Sequence, residues 1–281
     1  MASSSDAIDI SKVRDGTQLA QPDRVAVEEP LEIRLGYTTP EGRAVKSISI
    51  TMRTPGDDAE LAAGFLYSEA IIRRPSDIAS IDSCGPPAPD SGHHNVVRVD
   101  LTAGVAVDLG RLQRHFYTTS SCGVCGKTSL DALRIAGATP VSGSGFRISR
   151  RRLPDLPEAL RAVQHTFATT GGLHAAAAFD VDGKLLVTME DVGRHNAVDK
   201  VVGSLLRQGS LPARGCGLIV SGRASFELMQ KALVAGMPML AAVGAPSSLA
   251  VRLAREFDMT LVGFLRGETF NIYSAERRVI D

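Results

Sequence analysis

The sequence carries no excess of charge: Lys+Arg and Asp+Glu number 31 each in 281 residues. Such a balanced chain is not a general nucleic-acid or membrane-surface binder, although a local basic pocket is compatible with it. Cysteine is scarce, with 4 residues, too few for a disulfide framework in a chain this long. No apolar run is long enough to cross a bilayer. The segment Met1-Ala2-Ser3-Ser4-Ser5-Asp6 lacks the basic and apolar regions of a signal peptide. No internal repeat is visible. A cytoplasmic protein with neither nucleic acid nor membrane as partner is expected, with one large or two modest domains.

Against that background one stretch stands out, Ser120-Ser121-Cys122-Gly123-Val124-Cys125-Gly126-Lys127-Thr128-Ser129. Glycines permit a tight turn that leaves both sulfurs reachable. Residues 128–137 read as a short helix, capped by Thr128 or Ser129 and stopped at Gly137. A helix N-terminus and the Lys127 ammonium both favour thiolate over thiol. Three other readings compete with a reactive thiol. A zinc site needs further ligands at close spacing, but Cys84 and Cys216 are isolated and no His-x₃₋₅-His pair exists. A thioredoxin-type dithiol wants a preceding buried strand, which Arg111 to Phe116 does not supply. An inert disulfide does not suit a cytosolic chain. A thiol that carries sulfur or another group leads, with no permanently bound metal.

Taken in order, residues 1–25 are polar and aperiodic and read as a flexible arm. Leu31, Ile33 and Leu35 alternate with polar residues, as do Ile48, Ile50 and Met52, so two half-buried strands are expected across Gly36 to Gly42. Pro55-Gly56-Asp57-Asp58 opens a helix that turns Leu61, Phe65 and Leu66 inward. The proline-rich run from Cys84 to Gly92 reads as a loop, with His93 and His94 at the surface beyond it, and Val97, Val99 and Leu101 make another strand. Asp155-Leu156-Pro157-Glu158 has a capping-box pattern, after which Leu156, Leu160, Val163 and Phe167 form one apolar stripe. A hairpin turning at Asp182-Gly183 joins strands from Ala175 and from Leu185, and a helix through Val198 to Leu206 stops at Gly209.

The last third has the clearest architecture. Leu218-Ile219-Val220, Met239 to Val243 and Thr260 to Leu265 are short continuous apolar strands separated by amphipathic helices. That is a βαβαβ unit with a parallel sheet. The fold class is α/β, divided into an arm (1–25), a smaller β-rich portion (26–120), the Cys-x-x-Cys loop with its helix (121–140) and a C-terminal α/β portion (141–281).

The chain resembles the FdhD family, the accessory sulfurtransferases of formate dehydrogenases. The likeness rests on Met52-Arg53-Thr54-Pro55-Gly56-Asp57, on Ser121 to Lys127, on Gly171-Gly172-Leu173-His174-Ala175 and on Glu190-Asp191-Val192-Gly193-Arg194-His195-Asn196-Ala197-Val198-Asp199-Lys200. It continues in Val220 to Glu227, Ala245 to Ala250 and Gly263-Phe264-Leu265-Arg266-Gly267. Ala70 stands where the family usually has glycine. The resemblance implies a cytidine-deaminase-like fold and a homodimer. It also implies a sulfur carrier that takes sulfur from a cysteine desulfurase and passes it to the molybdenum bis(molybdopterin guanine dinucleotide) cofactor, its bound substrate, before that enters the formate dehydrogenase catalytic subunit. On this chain Cys122 would hold the persulfide and Cys125 would assist.

The residues themselves accord with that. Ser221-Gly222-Arg223, Gly244 to Ser248 and Arg266-Gly267 follow the C-terminal ends of three parallel strands, the edge where open sheets bind ligands. The guanine-nucleotide end is expected along Phe264, Leu265, Arg266, Gly267, Glu268 and Thr269 and the turn Ser221, Gly222, Arg223. The Glu190 to His195 cluster reads as a polar surface loop with a local Arg–Asp pair, and His174 equally as a core histidine or a site residue. A zinc deaminase is poorly supported, since His174-Ala175-Ala176 lacks the required Glu and no proline precedes Cys122. A non-catalytic chaperone that only binds the molybdenum cofactor stays open, and it would find both cysteines dispensable.

Overall fold

The structure, a computed structural model, describes residues 4–89, 91–107, 133 and 138–281. The Cys122–Cys125 pair lies outside them, and of the helix expected over 128–137 only Leu133, helical and buried in the main core, lies within them.

The amino-terminal residues depart from expectation at once. Ser5–Arg14 (β1) and Thr17–Ala26 (β2) pair as an antiparallel ribbon where an arm without regular structure was expected. The turn is the cause. Asp15 (φ 49°) and Gly16 (φ 76°) both take positive φ, the two-residue connection whose twist suits paired strands. Ser4 ties the ribbon's base to the body, accepting from Val27 N at 3.0 Å and meeting Thr166 Oγ1 at 3.0 Å.

Glu29–Thr39 (β3), Gly42–Arg53 (β4), Ile78–Pro87 (β5) and His94–Leu101 (β6) form a sheet in the order β4-β3-β6-β5. Leu31, Ile33, Leu35, Val97, Val99 and Leu101 bury one face of it as their alternation requires. The second half of β4 does not follow its sequence pattern. A register shift opposite Ile33 and Arg34 inverts the alternation. Ile48 is buried, but Ile50 and Met52 are 67% and 47% exposed while Arg53 is fully buried. The proline-rich run also differs: Cys84 to Pro87 continue β5. An edge strand tolerates prolines because one side of its backbone needs no ladder partner.

Asp58–Ser68 (α1) follows β4. Just past it, Ala70 takes φ 56°, the left-handed conformation that glycine adopts without strain. After Ile148–Ser149 (β7), the single stripe expected from Leu156 to Phe167 is two short helices, Leu156–Ala162 (α2) and His165–Thr170 (α3). Val163, at the break, is exposed.

The C-terminal portion matches its pattern. His174–Phe179 (β8), Leu185–Asp191 (β9), Arg194–Arg207 (α4), Gly217–Val220 (β10), Phe226–Val234 (α5), Met239–Ala242 (β11), Ser248–Glu256 (α6), Thr260–Arg266 (β12) and Thr269–Ser274 (β13) succeed one another. The sheet order is β13-β12-β11-β10-β8-β9, with β10, β11 and β12 parallel and β8 antiparallel to β10. Helices cover both faces, so β10 and β11 are buried throughout. Val279–Ile280 (β14) returns to pair with β7.

Two glycines join the halves. A Cβ on Gly64 of α1 would lie 1.8 Å from Asp199 O, and one on Gly203 of α4 would lie 1.8 Å from Glu60 O. The helices therefore touch backbone to backbone. One hydrophobic core runs from Leu31 and Leu101 through this contact to Val201 and Leu240.

Candidate functional site

Three turns meet at the carboxyl edge of β10, β11 and β12. Backbone bonds weave them together: Gly244 N donates to Gly222 O at 2.9 Å, Phe264 N to Gly244 O at 3.0 Å, and Ser247 N to Ala224 O at 3.0 Å. Gly244 is the pivot, since a Cβ there would stand 3.0 Å from Gly222 O. The two segments expected to bind nucleotide, Ser221 to Arg223 and Phe264 to Thr269, are thus brought together through a residue of the turn between them. Ser225 caps α5, its Oγ accepting from Leu228 N at 3.5 Å, and Ser247 caps α6, accepting from Ala250 N at 3.2 Å.

The named residues differ in what they present. Arg223, Arg266, Gly267, Glu268 and Thr269 are exposed. Arg266 leans back so that its Nε donates to Val243 O at 3.4 Å. Phe264 takes φ 53° and is 42% exposed, a strained backbone position that turns an aromatic ring outward. Leu265 is fully buried in the second core cluster, so its side chain serves packing. The Ser221 hydroxyl already accepts from Ala175 N at 2.9 Å.

A second group adjoins this edge. His174, at the start of β8, lies where a Cβ on Gly222 would be 3.5 Å from its Nδ1. Burial first, then the charges of Arg194 and His195, lower the His174 pKa below its ordinary 6.5. The ring is neutral at pH 7. His195, in the first turn of α4, holds Nε2 at 3.9 Å from Glu227 Oε2. The His195 ring is the main cause of a Glu227 pKa lowered to about 2, with burial opposing it. At that separation the contact is too long for a hydrogen bond, and His195 Nε2 has no hydrogen-bond partner among the described residues. Because each imidazole stands alone in its stretch, its pattern gave no sign that the two would share an edge with Glu227.

The Glu190 to His195 stretch is not the surface loop expected of it. Asp191 is fully buried, and its partner is Lys200, with Nζ 2.8 Å from Oδ2. Its other oxygen accepts from Gly193 N at 2.8 Å and Asn196 Nδ2 at 3.0 Å. Lys200 Nζ also donates to Thr54 O at 3.1 Å, and Asn196 Nδ2 to Met52 O at 2.7 Å. Glu190 accepts from Thr166 N and Phe167 N at 3.0 and 2.9 Å. The cluster clamps the end of β4 to the start of α4 and so fixes where Arg194 and His195 emerge. A second buried pair, Asp199 with Lys231 at 2.8 Å, takes Ser68 Oγ from α1 at 2.8 Å. Burial alone would lower the Lys231 pKa, but the Asp199 carboxylate outweighs it and raises it.

Cys122 and Cys125 lie outside the described residues. The other two cysteines, Cys84 and Cys216, are free and partly buried, and burial raises the Cys216 pKa, which suits a packing role.

Comparison with known proteins gives one consistent answer. Residues 26–280 match the model of the FdhD/NarQ family. A protein of Streptomyces coelicolor named sulfur carrier protein FdhD is 52% identical over 272 residues, covering 96% of this chain and 94% of that one. A Sulfurisphaera tokodaii protein of the same name is 42% identical over 273 residues, covering 97% and 98%. The crystal structure of a putative formate dehydrogenase accessory protein from Desulfotalea psychrophila superposes with a TM-score of 0.76 at 24% identity, over 99% of this chain and 100% of that one. It shares the mixed α/β fold.

Proposed function

The chain belongs to the FdhD/NarQ family, and on that footing we propose that it is a sulfurtransferase for formate dehydrogenase. It takes sulfur from a cysteine desulfurase and delivers it to the molybdenum bis(molybdopterin guanine dinucleotide) cofactor. In this reading the Cys122 thiolate attacks the outer sulfur of the donor's persulfide. The donor S–S bond breaks, its electron pair leaves on the donor thiolate, and a new S–S bond joins the sulfur to Cys122. For release, the Cys125 thiolate attacks the Cys122 sulfur. A Cys122–Cys125 disulfide forms as the bond from Cys122 to the outer sulfur breaks. The Cys125 thiolate is oxidised, and the outer sulfur takes the electron pair and leaves reduced as hydrosulfide for the molybdenum. The two copies of a homodimer work in the cytoplasm.

The observation that carries the cofactor half is the joining of Gly222 and Phe264 through Gly244. It puts two exposed arginines, an outward aromatic ring and capped helix N-termini on one edge, a setting for a pyrophosphate and a purine. The strand order β9-β8-β10-β11-β12, with β8 reversed, supports the cytidine-deaminase-like reading. The thiol half is supported by the glycine-rich, cationic setting of the Cys-x-x-Cys sequence.

Incubation with a cysteine desulfurase and cysteine, followed by mass spectrometry, tests the proposal. One added sulfur is expected on Cys122, lost in Cys122→Ser. Full activation of formate dehydrogenase by the Cys122→Ser/Cys125→Ser double variant would leave a cofactor-binding chaperone in its place.

A further inference from the structure

The β1–β2 ribbon is poorly accounted for by its own chain. A lone two-stranded hairpin is marginal in water, yet both strands expose nearly every residue along their length. Ten residues per strand give a ribbon about 33 Å long.

Its register assigns the side chains to two faces, because cross-strand partners lie on the same side and successive residues alternate. One face carries an apolar stripe of Ile8, Ile10, Leu19 and Val25, and all but Ile10 are exposed. The charges on that face are sorted by position. Asp6 and Asp23 lie toward the base, and Lys12 and Arg14 lie toward the tip. Among the described residues, Asp6, Asp23 and Lys12 have no ion-pair partner, and Arg14 meets only its neighbour Asp15 at 3.9 Å. The opposite face is mostly small and polar, with Arg24 near the base, and shows no such order.

We propose that the sorted face docks on the same face of a second copy, the two ribbons antiparallel about a two-fold axis. A two-fold contact is isologous, so a residue that meets another is met by that other's equivalent. The tip of each ribbon then lies on the base of its partner, and Lys12 and Arg14 meet Asp6 and Asp23 twice over. The two Ile10 side chains fall near the centre. A parallel alignment would set acid on acid and base on base. An unrelated partner would need no reversed order of charge along the face, whereas self-recognition does. Two strips about 33 Å by 10 Å bury roughly 700 Å² together, below the area a stable interface needs by itself, so the ribbon pair is a weak, reversible contact that depends on its charges. This inference rests on the proposed pairing of copies and not on the sulfur chemistry.

Sedimentation of the full chain tests it. The tip variant Lys12→Glu/Arg14→Glu and the base variant Asp6→Lys/Asp23→Lys should each self-associate about tenfold or more weakly, since favourable rim contacts become repulsive. An equimolar mixture of the two should associate as the wild type does, and so should the chain carrying all four changes. Circular dichroism of each variant checks that the fold is kept. A wild-type dimer indifferent to both variants would overturn the ribbon contact and leave pairing through another surface. Failure of the mixture to associate would also overturn it. A monomeric wild type would remove both the ribbon contact and the pairing.

Discussion

The Asp191 carboxylate and the Lys200 ammonium stand 2.8 Å apart, with 0% and 1% of their side chains exposed. Five hydrogen bonds beyond their own contact surround the pair: Asp191 accepts from the Gly193 and Thr54 amides and from Asn196, and Lys200 donates to the Thr54 and Glu190 carbonyls. Removing one partner leaves a buried charge without compensation, which costs about 3–5 kcal/mol. Lys200→Met should therefore lower the urea midpoint strongly. Unchanged stability would mean the pair adds nothing to the frame beneath Arg194 and His195.

The contact between α1 and α4 gives a prediction of sign. Glycine to alanine inside an ordinary helix stabilises by about 1 kcal/mol. At Gly203 the new methyl would stand 1.8 Å from Glu60 O, so the helices must separate, and Gly203→Ala should destabilise by about 1–3 kcal/mol or more. A thermal midpoint at or above the wild type would contradict the backbone contact.

Ala70 offers the opposite sign. Its φ of 56° costs an L-residue about 1–2 kcal/mol, part of which glycine's greater freedom in the unfolded chain takes back. Ala70→Gly should raise stability by about 0.5–1 kcal/mol, read from denaturant unfolding. A loss of stability would show that the turn does not hold that conformation.

His174 ties stability to pH. Its folded pKa lies below 6.5, so between the folded value and 6.5 the unfolded chain binds a proton that the folded chain does not. The contribution is present above 6.5 and is lost as pH falls through the folded value. His174→Gln should remove that part of the pH dependence. NMR titration of the ring should give a midpoint under 6.5, and a midpoint at or above it would overturn the assignment.

At the candidate nucleotide edge, Arg266→Ala should weaken GDP binding by about 1.5–3 kcal/mol, as for a charge-assisted hydrogen bond. Arg266→Lys should restore little, because an ammonium cannot meet a phosphate bidentately. Calorimetry showing equal affinity in wild type and Arg266→Ala would take Arg266 out of the site. Persulfide loading of Cys122 should survive in both variants.

What could be read directly from the chain was whatever depends on near neighbours. The strands at 217–220, 239–242 and 260–266 are short apolar runs between amphipathic helices, and each is a strand in the structure. The hairpin joining β8 and β9 was legible from its Asp182-Gly183 turn for the same reason. An equally local signal, Asp15-Gly16 between Ile8, Ile10 and Leu19, marks the amino-terminal ribbon. It is easily passed over because both faces meet water and no core period accompanies it.

Tertiary structure alone decided the rest. Nothing within β4 tells that a bulge opposite Ile33 turns Ile50 outward and Arg53 inward, because the shift belongs to the pairing of two strands. A carboxylate such as Asp191 is equally at home in water. It becomes a buried clamp only where Thr54 and Lys200 close over it from elements 137 and 9 residues away. The nucleotide edge is of the same kind. Its glycines, arginines and caps are plain in the sequence, but Gly222 and Phe264 are linked only when β11 is laid between β10 and β12, where Gly244 donates to Gly222 and accepts from Phe264. Spacing along a chain governs helices and turns, while burial and charge pairing are set by which distant surfaces exclude water from one another.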